Sequence, residues 1–256
     1  MNQTIERLHD IEKNGYQLDF GNVFNHAFEN YKKIALYAGL VLFIFIVLFS
    51  IFMVGSLVSV LGIHAMTEEL SPEKFKIENL SQSNLLIFGI ITIFVTALLS
   101  PFQAAFLKMT DCGDKDEEFI ISSLFGYYKL PYLTEIMGST LLISIISFTQ
   151  ATLLTYVHLD FLGTIITYFI SFITFLTVPL IIFGNLKAIE AIKYSIMIVL
   201  KQPIVLLGLM VVAIIGAFVG IMGCCIGIFF TMPFLYSMNY AIYTAIVGID
   251  TPQEIE

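Results

Sequence analysis

Six long apolar stretches constrain this sequence more than any other feature. A helix needs about 20 apolar residues to cross the hydrocarbon core of a bilayer, and each stretch reaches that length. They are residues 34–62, 84–107, 132–157, 161–184, 203–222 and 224–247. The chain is also 58% hydrophobic and 12% charged, whereas soluble domains are roughly 45–50% apolar and about 25% charged. The sequence therefore predicts an all-α integral membrane protein with six transmembrane helices.

The six stretches form three pairs, and a lysine-bearing amphipathic segment precedes each pair. The second stretch of each pair carries a lone proline. The lysines are Lys32, Lys129 and Lys201, and the prolines are Pro101, Pro179 and Pro233. This pattern predicts three pseudo-repeated units, each an interfacial amphipathic helix followed by a transmembrane hairpin. The alternative is that any six-span protein carries lysines at its inner helix ends and scattered prolines.

The predicted organisation is one membrane domain, 20–248, between two short polar segments. Its units are 20–107, 119–184 and 186–248, with an N-terminal cap at 1–19 and a tail at 249–256. If the N-terminus is cytoplasmic, Lys74 and Lys76 are the only basic residues outside among the 12 in the chain. Since cytoplasmic loops are enriched in lysine and arginine, both termini are expected in the cytoplasm. The acidic, polar start lacks the pattern of a cleaved signal peptide, so the first stretch is expected to stay in the membrane.

Several residues are candidates for structural or interface roles. The three lysines would anchor a cytoplasmic collar, and the three prolines would bend the inner halves of their helices. Asn185 and Asn239 each lie six residues after a proline. They are interpreted as polar anchors at the inner boundary, or alternatively as the lining of a shared vestibule.

Small and hydroxylated side chains recur every three or four residues in several stretches. The third carries Ser144 and Ser147, the fourth carries Thr167 and Ser171, and glycines recur through the last two. Such residues let transmembrane helices approach closely and hydrogen-bond to each other. Helix packing is therefore favoured over a polar path for a substrate.

The sequence offers little support for catalysis or a metal cofactor. His64, His158 and Asp160 would meet at the outer rim and are weak candidates for a metal site, because no histidine pair has the short spacing of a metal-binding helix. The acidic segment 111–118 does not have the spacing of a calcium loop and is interpreted as a hydrated turn. Cys224 and Cys225 are interpreted as small residues at the outer turn rather than as a disulfide. We therefore expect no cofactor and lean against an enzyme.

Charge distribution limits the partners. The formal net charge is −8, and no basic stripe is present that would neutralise nucleic-acid phosphates. Nucleic acid is therefore not an expected partner. The expected partners are membrane lipid and a membrane protein.

Two segments carry a resemblance to a known family. They are Thr177-Val-Pro179-Leu through Lys201-Gln-Pro203, and Gly223 to Pro233. With the repeated unit, they resemble uncharacterised bacterial six-span membrane proteins and the membrane domain that accompanies some glycerophosphodiester phosphodiesterases. The catalytic barrel of those enzymes has no counterpart here, so the resemblance implies a membrane fold without an active site. It also implies that the bacterial inner membrane is the location, with both termini in the cytoplasm.

Three functional hypotheses follow. The leading one is a non-catalytic accessory, scaffold or assembly subunit that acts through a partner or lipid. The second is a transporter or channel for an apolar or lipid-like solute, and the third is a membrane enzyme with an outer-face metal site.

Overall fold

The computed structural model describes residues 3–69, 82–222 and 226–249, without the side chains of residues 53, 56–69 and 82–85. In these ranges the chain is helical over most of its length and forms no strand. The all-α prediction is confirmed for this part of the chain.

Ten α-helices are present in the described ranges. They are α1 (Gln3–Asn14), α2 (Phe20–Glu69), α3 (Gln82–Asp114), α4 (Tyr132–Tyr156), α5 (Asp160–Ile173), α6 (Thr177–Ile182), α7 (Ala188–Lys201), α8 (Pro203–Val219), α9 (Gly227–Thr231) and α10 (Pro233–Ile246). Two 3-10 helices lie at Ile121–Tyr128 and Gly220–Met222.

Five helical segments of the described chain are long and apolar enough to cross a membrane. They are Phe20–Phe52, Leu86–Asp114, Tyr132–Tyr156, Asp160–Ile182 and Pro203–Met222. These correspond to the first five predicted stretches, so an integral membrane protein is supported. The sixth predicted stretch, 224–247, instead contains the shorter helices α9 and α10, which are separated at Met232. Residues 223–225 lie outside the described residues.

Helix α10 lies inside the bundle. It packs against α2, α3 and α8, and Tyr240 and Tyr243 are fully buried. A helix that is surrounded by other helices does not need a uniformly apolar, lipid-facing surface. This position explains why α10 carries Ser237, Asn239 and three tyrosines.

Helix α2 is much longer than a bilayer is thick. Its 50 residues correspond to about 75 Å at 1.5 Å per residue, against about 30 Å of hydrocarbon. No helix-breaking residue separates the amphipathic segment from the first span, so the predicted interfacial helix of the first unit is the start of α2. In the second unit the corresponding segment is the 3-10 helix Ile121–Tyr128, and in the third it is the separate helix α7.

The bundle is more closely packed at one end than at the other. The close-packed end holds α1, the start of α2, the end of α3, the start of α4 and α7, and we call it the lysine-rich end. Its core includes Leu8, Leu180 and Ile198, all fully buried. Towards the opposite end, large apolar side chains face outwards, with Phe52 68%, Phe94 67% and Phe161 80% exposed.

Helices α8 and α9 meet through two glycines. A Cβ atom placed on Gly227 would lie 2.5 Å from the carbonyl oxygen of Gly220, which is closer than van der Waals contact permits. The two backbones can therefore approach as they do because neither residue has a side chain.

Candidate functional site

The most distinctive polar site is a network around Asp111, whose side chain is only 2% exposed. Two lysines of the same helical end flank it. The Lys108 ammonium lies 2.5 Å from Asp111 Oδ2, and the Lys115 ammonium lies 2.9 Å from Oδ1. Spacings of three and four residues place these groups on one face of a helix. The structure thus differs from the predicted hydrated turn, since α3 continues to Asp114 and its last turns hold a paired, buried carboxylate.

Tyr240 joins this network from the centre of the bundle. Its hydroxyl oxygen lies 3.2 Å from Asp111 Oδ1 and 3.1 Å from Asp114 Oδ2. A phenol has a single proton, so Tyr240 can donate to one carboxylate at a time. His26 Nε2 lies 2.8 Å from the other oxygen of Asp114. Together these contacts tie α2, α3 and α10 to each other.

Helix α2 makes further polar contacts with the end of α3. Asn30 donates its side-chain N–H to the carbonyl oxygen of Thr110 at 2.9 Å, and Lys33 pairs with Asp116 at 2.7 Å. His26, Asn30 and Lys33 are four and three residues apart, so one face of α2 follows α3 for about two turns.

The network is arranged as a clamp. The two lysines approach the carboxylate of Asp111, and its remaining neighbour is a hydrogen-bond donor, so the buried charge is paired and hydrogen-bonded. A buried ion pair adds little net stability over an apolar contact, but removing one partner is costly. Both lysines belong to the same end of α3 as Asp111, so the contacts between helices are those of Tyr240 with Asp111 and Asp114 and of His26 with Asp114. No group of three or more metal-ligating side chains occurs in the described residues.

Helix α1 covers the lysine-rich end. Arg7 donates to the carbonyl oxygen of Val247 at 3.1 Å, and the Tyr16 hydroxyl donates to that of Ile198 at 3.0 Å. Gln202 donates in turn to the carbonyl oxygen of Tyr16. Burial raises the pKa of Tyr16. The predicted N-terminal cap is thus attached to both α7 and the end of α10.

The three predicted collar lysines lie in three different environments. Lys32 pairs with Glu29 at 2.7 Å and lies over the ring of Phe28. Lys201 donates to the carbonyl oxygen of Glu12 in α1 at 2.8 Å. Lys129 is exposed and forms no ion pair with any described residue.

Two of the predicted prolines, Pro101 and Pro179, leave a carbonyl group that a nearby side chain satisfies. Pro101 cannot donate to Ala97, and the Ser100 hydroxyl donates to that carbonyl oxygen at 2.7 Å. Pro179 cannot donate to Phe175, whose carbonyl oxygen receives Asn239 Nδ2 at 3.3 Å. Near Pro233, the Tyr31 hydroxyl donates to Phe230 at 3.2 Å. Helix α3 runs through Pro101, whereas the chain breaks at residues 174–176 and at Met232.

The two predicted asparagines are not equivalent. Asn239 lies within α10 and bonds across to the break between α5 and α6. Asn185 lies in the connection between α6 and α7, with a left-handed φ of 52°, and its side-chain oxygen accepts from the Tyr132 hydroxyl at 2.8 Å.

The weak metal candidates are only partly described. His158, in the turn after α4, has a left-handed φ of 58°, and Asp160 begins α5; both are exposed. The side chain of His64 lies outside the described residues, as do Cys224 and Cys225.

A second polar feature is a groove of about 350 Å³ between α3, α4 and α5. Each helix contributes two hydroxyl groups about one turn apart: Thr92, Thr96, Ser144, Ser147, Thr167 and Ser171. The side-chain amide of Gln150 donates to Thr167 Oγ1 at 2.7 Å. The hydroxylated residues that recur along the predicted spans therefore line this groove. Thr167 also takes part in a contact between α4 and α5.

Sequence reasoning missed the members of the charge network. The spacing of Lys108, Asp111 and Lys115 signals a helix with paired charges and could have been used. Their contact with Tyr240 and His26 joins segments far apart in the chain, and no local pattern indicates it. Comparison with protein-family models, curated proteins and solved structures found no match to this chain.

Proposed function

We propose that this chain is a non-catalytic integral membrane protein that acts by binding, as an accessory, scaffold or assembly subunit. The network around Asp111 carries this proposal. It uses charged groups to join helices α2, α3 and α10, and so gives the lysine-rich end one defined shape. A surface of fixed shape suits recognition of a partner or of lipid.

The proposed topology has six crossings, with both termini in the cytoplasm of a bacterial inner membrane. Arg7 of the N-terminal cap bonds to Val247, so the cap and the end of the membrane domain lie at the same end of the bundle. A chain that returns to its starting side crosses an even number of times. Helices α9 and α10 would supply the sixth crossing, shielded from lipid by their neighbours.

The three-unit organisation remains part of this proposal. The three prolines and the side-chain donors near them support it. The three amphipathic segments differ in form: the start of α2, a 3-10 helix and the separate helix α7. On the residues quoted above, we also propose kinship with the membrane domain associated with glycerophosphodiester phosphodiesterases.

Affinity purification from native membranes in mild detergent tests the proposal. Mass spectrometry would identify both the proteins and the lipids that remain bound. We expect a stoichiometric protein partner or one lipid class enriched over its share in the membrane. Recovery of the chain with neither would refute a binding function.

A transporter or channel for a lipid-like solute is a second candidate, favoured by the hydroxyl-lined groove between α3, α4 and α5. Ser147→Leu would fill the groove and remove a hydroxyl, while Thr149→Leu changes an exposed residue of α4 outside its lining. If the groove binds such a solute, only Ser147→Leu should abolish its uptake into proteoliposomes. Equal uptake by both variants would exclude this candidate.

A further inference from the structure

Two contacts hold the start of α4 beside the start of α7. The Tyr132 hydroxyl donates to the Asn185 side chain at 2.8 Å. Three residues further along α4, the Glu135 carboxylate accepts from the backbone N–H of Ala188 at 2.7 Å. The residues just before α4 and those at the beginning of α7 therefore lie beside each other on the surface of the lysine-rich end.

This surface combines lysines with highly exposed apolar side chains. Lys129 and Lys187 are both exposed. Leu130, which follows Lys129, is 73% exposed, and so is Ile189, two residues after Lys187. Lys193 is exposed one helical turn after Ile189. We call these residues, Lys129, Leu130, Lys187, Ile189 and Lys193, the lysine junction.

The ammonium groups of the lysine junction are free to bind an anion. None of the three lysines forms an ion pair with a described residue, and Lys193 lies 5.8 Å over the ring of Tyr194. Two carboxylates are nearby, but both face backbone donors. Glu135 accepts from Ala188, and Glu190 accepts from the backbone N–H of Lys187 at 3.4 Å. The start of α7 is thus already capped, and an anion would be bound by lysines rather than by the helix end.

The exposed apolar residues indicate where this anion resides. Leucine and isoleucine side chains are stabilised in the acyl region of a bilayer, while lysines extend towards the headgroups. A soluble anion would leave Leu130 and Ile189 in water, whereas a phospholipid satisfies both kinds of side chain. Basic groups near a membrane surface also attract anionic lipids.

We propose that the lysine junction is a binding site for an anionic phospholipid. Lys129 and Lys187 contact its phosphate, Lys193 adds positive charge, and Leu130 and Ile189 enter the acyl layer beside it. This inference rests on the proposed binding function and names the ligand class at one part of the lysine-rich end.

Lipid exchange on the purified full-length chain tests the proposal. The chain is placed in nanodiscs of equal parts phosphatidylglycerol and phosphatidylcholine, extracted, and analysed by native mass spectrometry. Each lysine near a membrane surface contributes about 1 kcal/mol, which is roughly a fivefold preference for anionic lipid. Lys129→Gln with Lys187→Gln should therefore lower the retained phosphatidylglycerol-to-phosphatidylcholine ratio by roughly 25-fold. Lys13→Gln, a matched neutralisation of an exposed lysine in α1, should leave the ratio unchanged.

Two outcomes would overturn the proposal. The double variant could keep the ratio of the unchanged chain, or Lys13→Gln could lower it equally, which would indicate general charge attraction. Circular dichroism at 222 nm checks that each variant remains folded. If the double glutamine variant unfolds, Lys129→Arg with Lys187→Arg replaces it, and this charge-retaining variant should keep the preference for phosphatidylglycerol. A partner that co-purifies with the double variant would preserve the proposed function while this site fails, so the two failures are distinguishable.

Discussion

At the scale of single residues, Asp111 is a charged side chain that is almost completely buried, with 2% exposure. Its carboxylate is buried between Lys108 and Lys115 and lies within hydrogen-bonding distance of Tyr240. An uncharged replacement would leave two ammonium groups close together without an anion. This makes Asp111 a direct test of the clamp that joins α2, α3 and α10.

We expect Asp111→Asn to lower the free energy of unfolding by about 3 kcal/mol. This is at the low end of the cost of breaking a buried ion pair, because both lysines are about one-third exposed and can be hydrated. Thermal unfolding in detergent, followed by circular dichroism at 222 nm, measures this, since the chain has no tryptophan for fluorescence. Asp116→Asn is the control. Its side chain is 79% exposed and pairs with Lys33, so its loss should cost less than about 1 kcal/mol. Equal effects of the two changes would contradict the clamp.

The sequence revealed this residue only in part. Lys108, Asp111 and Lys115 belong to a charged segment that follows a long apolar stretch. That pattern by itself predicts a hydrated turn. The structure adds Tyr240, which follows Asp111 by 129 residues and lies within hydrogen-bonding distance of its carboxylate. Such a contact is set by how the helices pack, and the sequence pattern near Asp111 carries no information about it.

At the scale of helices, the prolines act through the carbonyl groups that they leave unbonded. The sequence predicts that these prolines bend their helices, and the structure adds the side chains that satisfy the carbonyl groups left by Pro101 and Pro179. Asn239 bonds to the carbonyl oxygen of Phe175, for which Pro179 has no N–H to offer. The two residues should therefore be energetically coupled.

A double-mutant cycle measures this coupling. Asn239→Ala alone should cost about 1–3 kcal/mol because it leaves a buried acceptor unsatisfied. When Pro179→Ala is also present, the backbone N–H of residue 179 can donate to Phe175, and Asn239→Ala should then cost less by at least about 0.5 kcal/mol. Strictly additive unfolding energies would show that the asparagine does not compensate for the proline.

The contact between α8 and α9 gives a second prediction for helices. Gly227→Ala should destabilise the protein by about 1–3 kcal/mol, because the added methyl group meets the carbonyl of Gly220 and the helices must separate. Gly138→Ala in α4 is the matched control, since a Cβ there has open space around it. That change should be neutral or stabilise the helix by up to about 1 kcal/mol. A harmless Gly227→Ala would contradict the glycine contact.

At the scale of the whole molecule, hydrophobicity predicted the membrane class and the positions of five long helices. Hydrophobicity could not predict that α10 is enclosed by other helices. An apolar segment has the same composition whether its side chains contact lipid or protein. The recurring serine and threonine residues have a similar ambiguity, because their spacing suits both contacts between helices and the lining of a polar path. The sequence predicts that Ser144 and Thr167 lie at contacts between helices, and in the structure they also line a groove that involves α3.

The proposed six crossings predict which residues face the cytoplasm. In a background with Cys112, Cys224 and Cys225 replaced by serine, single cysteines are introduced as Lys13→Cys, His158→Cys and Gln253→Cys. A membrane-impermeant maleimide should label His158→Cys in intact cells, and the other two only after permeabilisation. Labelling of Lys13→Cys and Gln253→Cys from opposite sides would indicate an odd number of crossings.

Photo-crosslinking in native membranes tests most directly whether the lysine-rich end is where the protein binds. A benzophenone amino acid replaces Leu130 in one variant and Ile146 of α4 in the other, two apolar positions that are 73% and 58% exposed. We expect position 130 to form one discrete adduct, with a single protein or with one enriched lipid class. Position 146 should label the lipids of the membrane in proportion to their abundance. The same unselective adducts at both positions would contradict a binding function at the lysine-rich end.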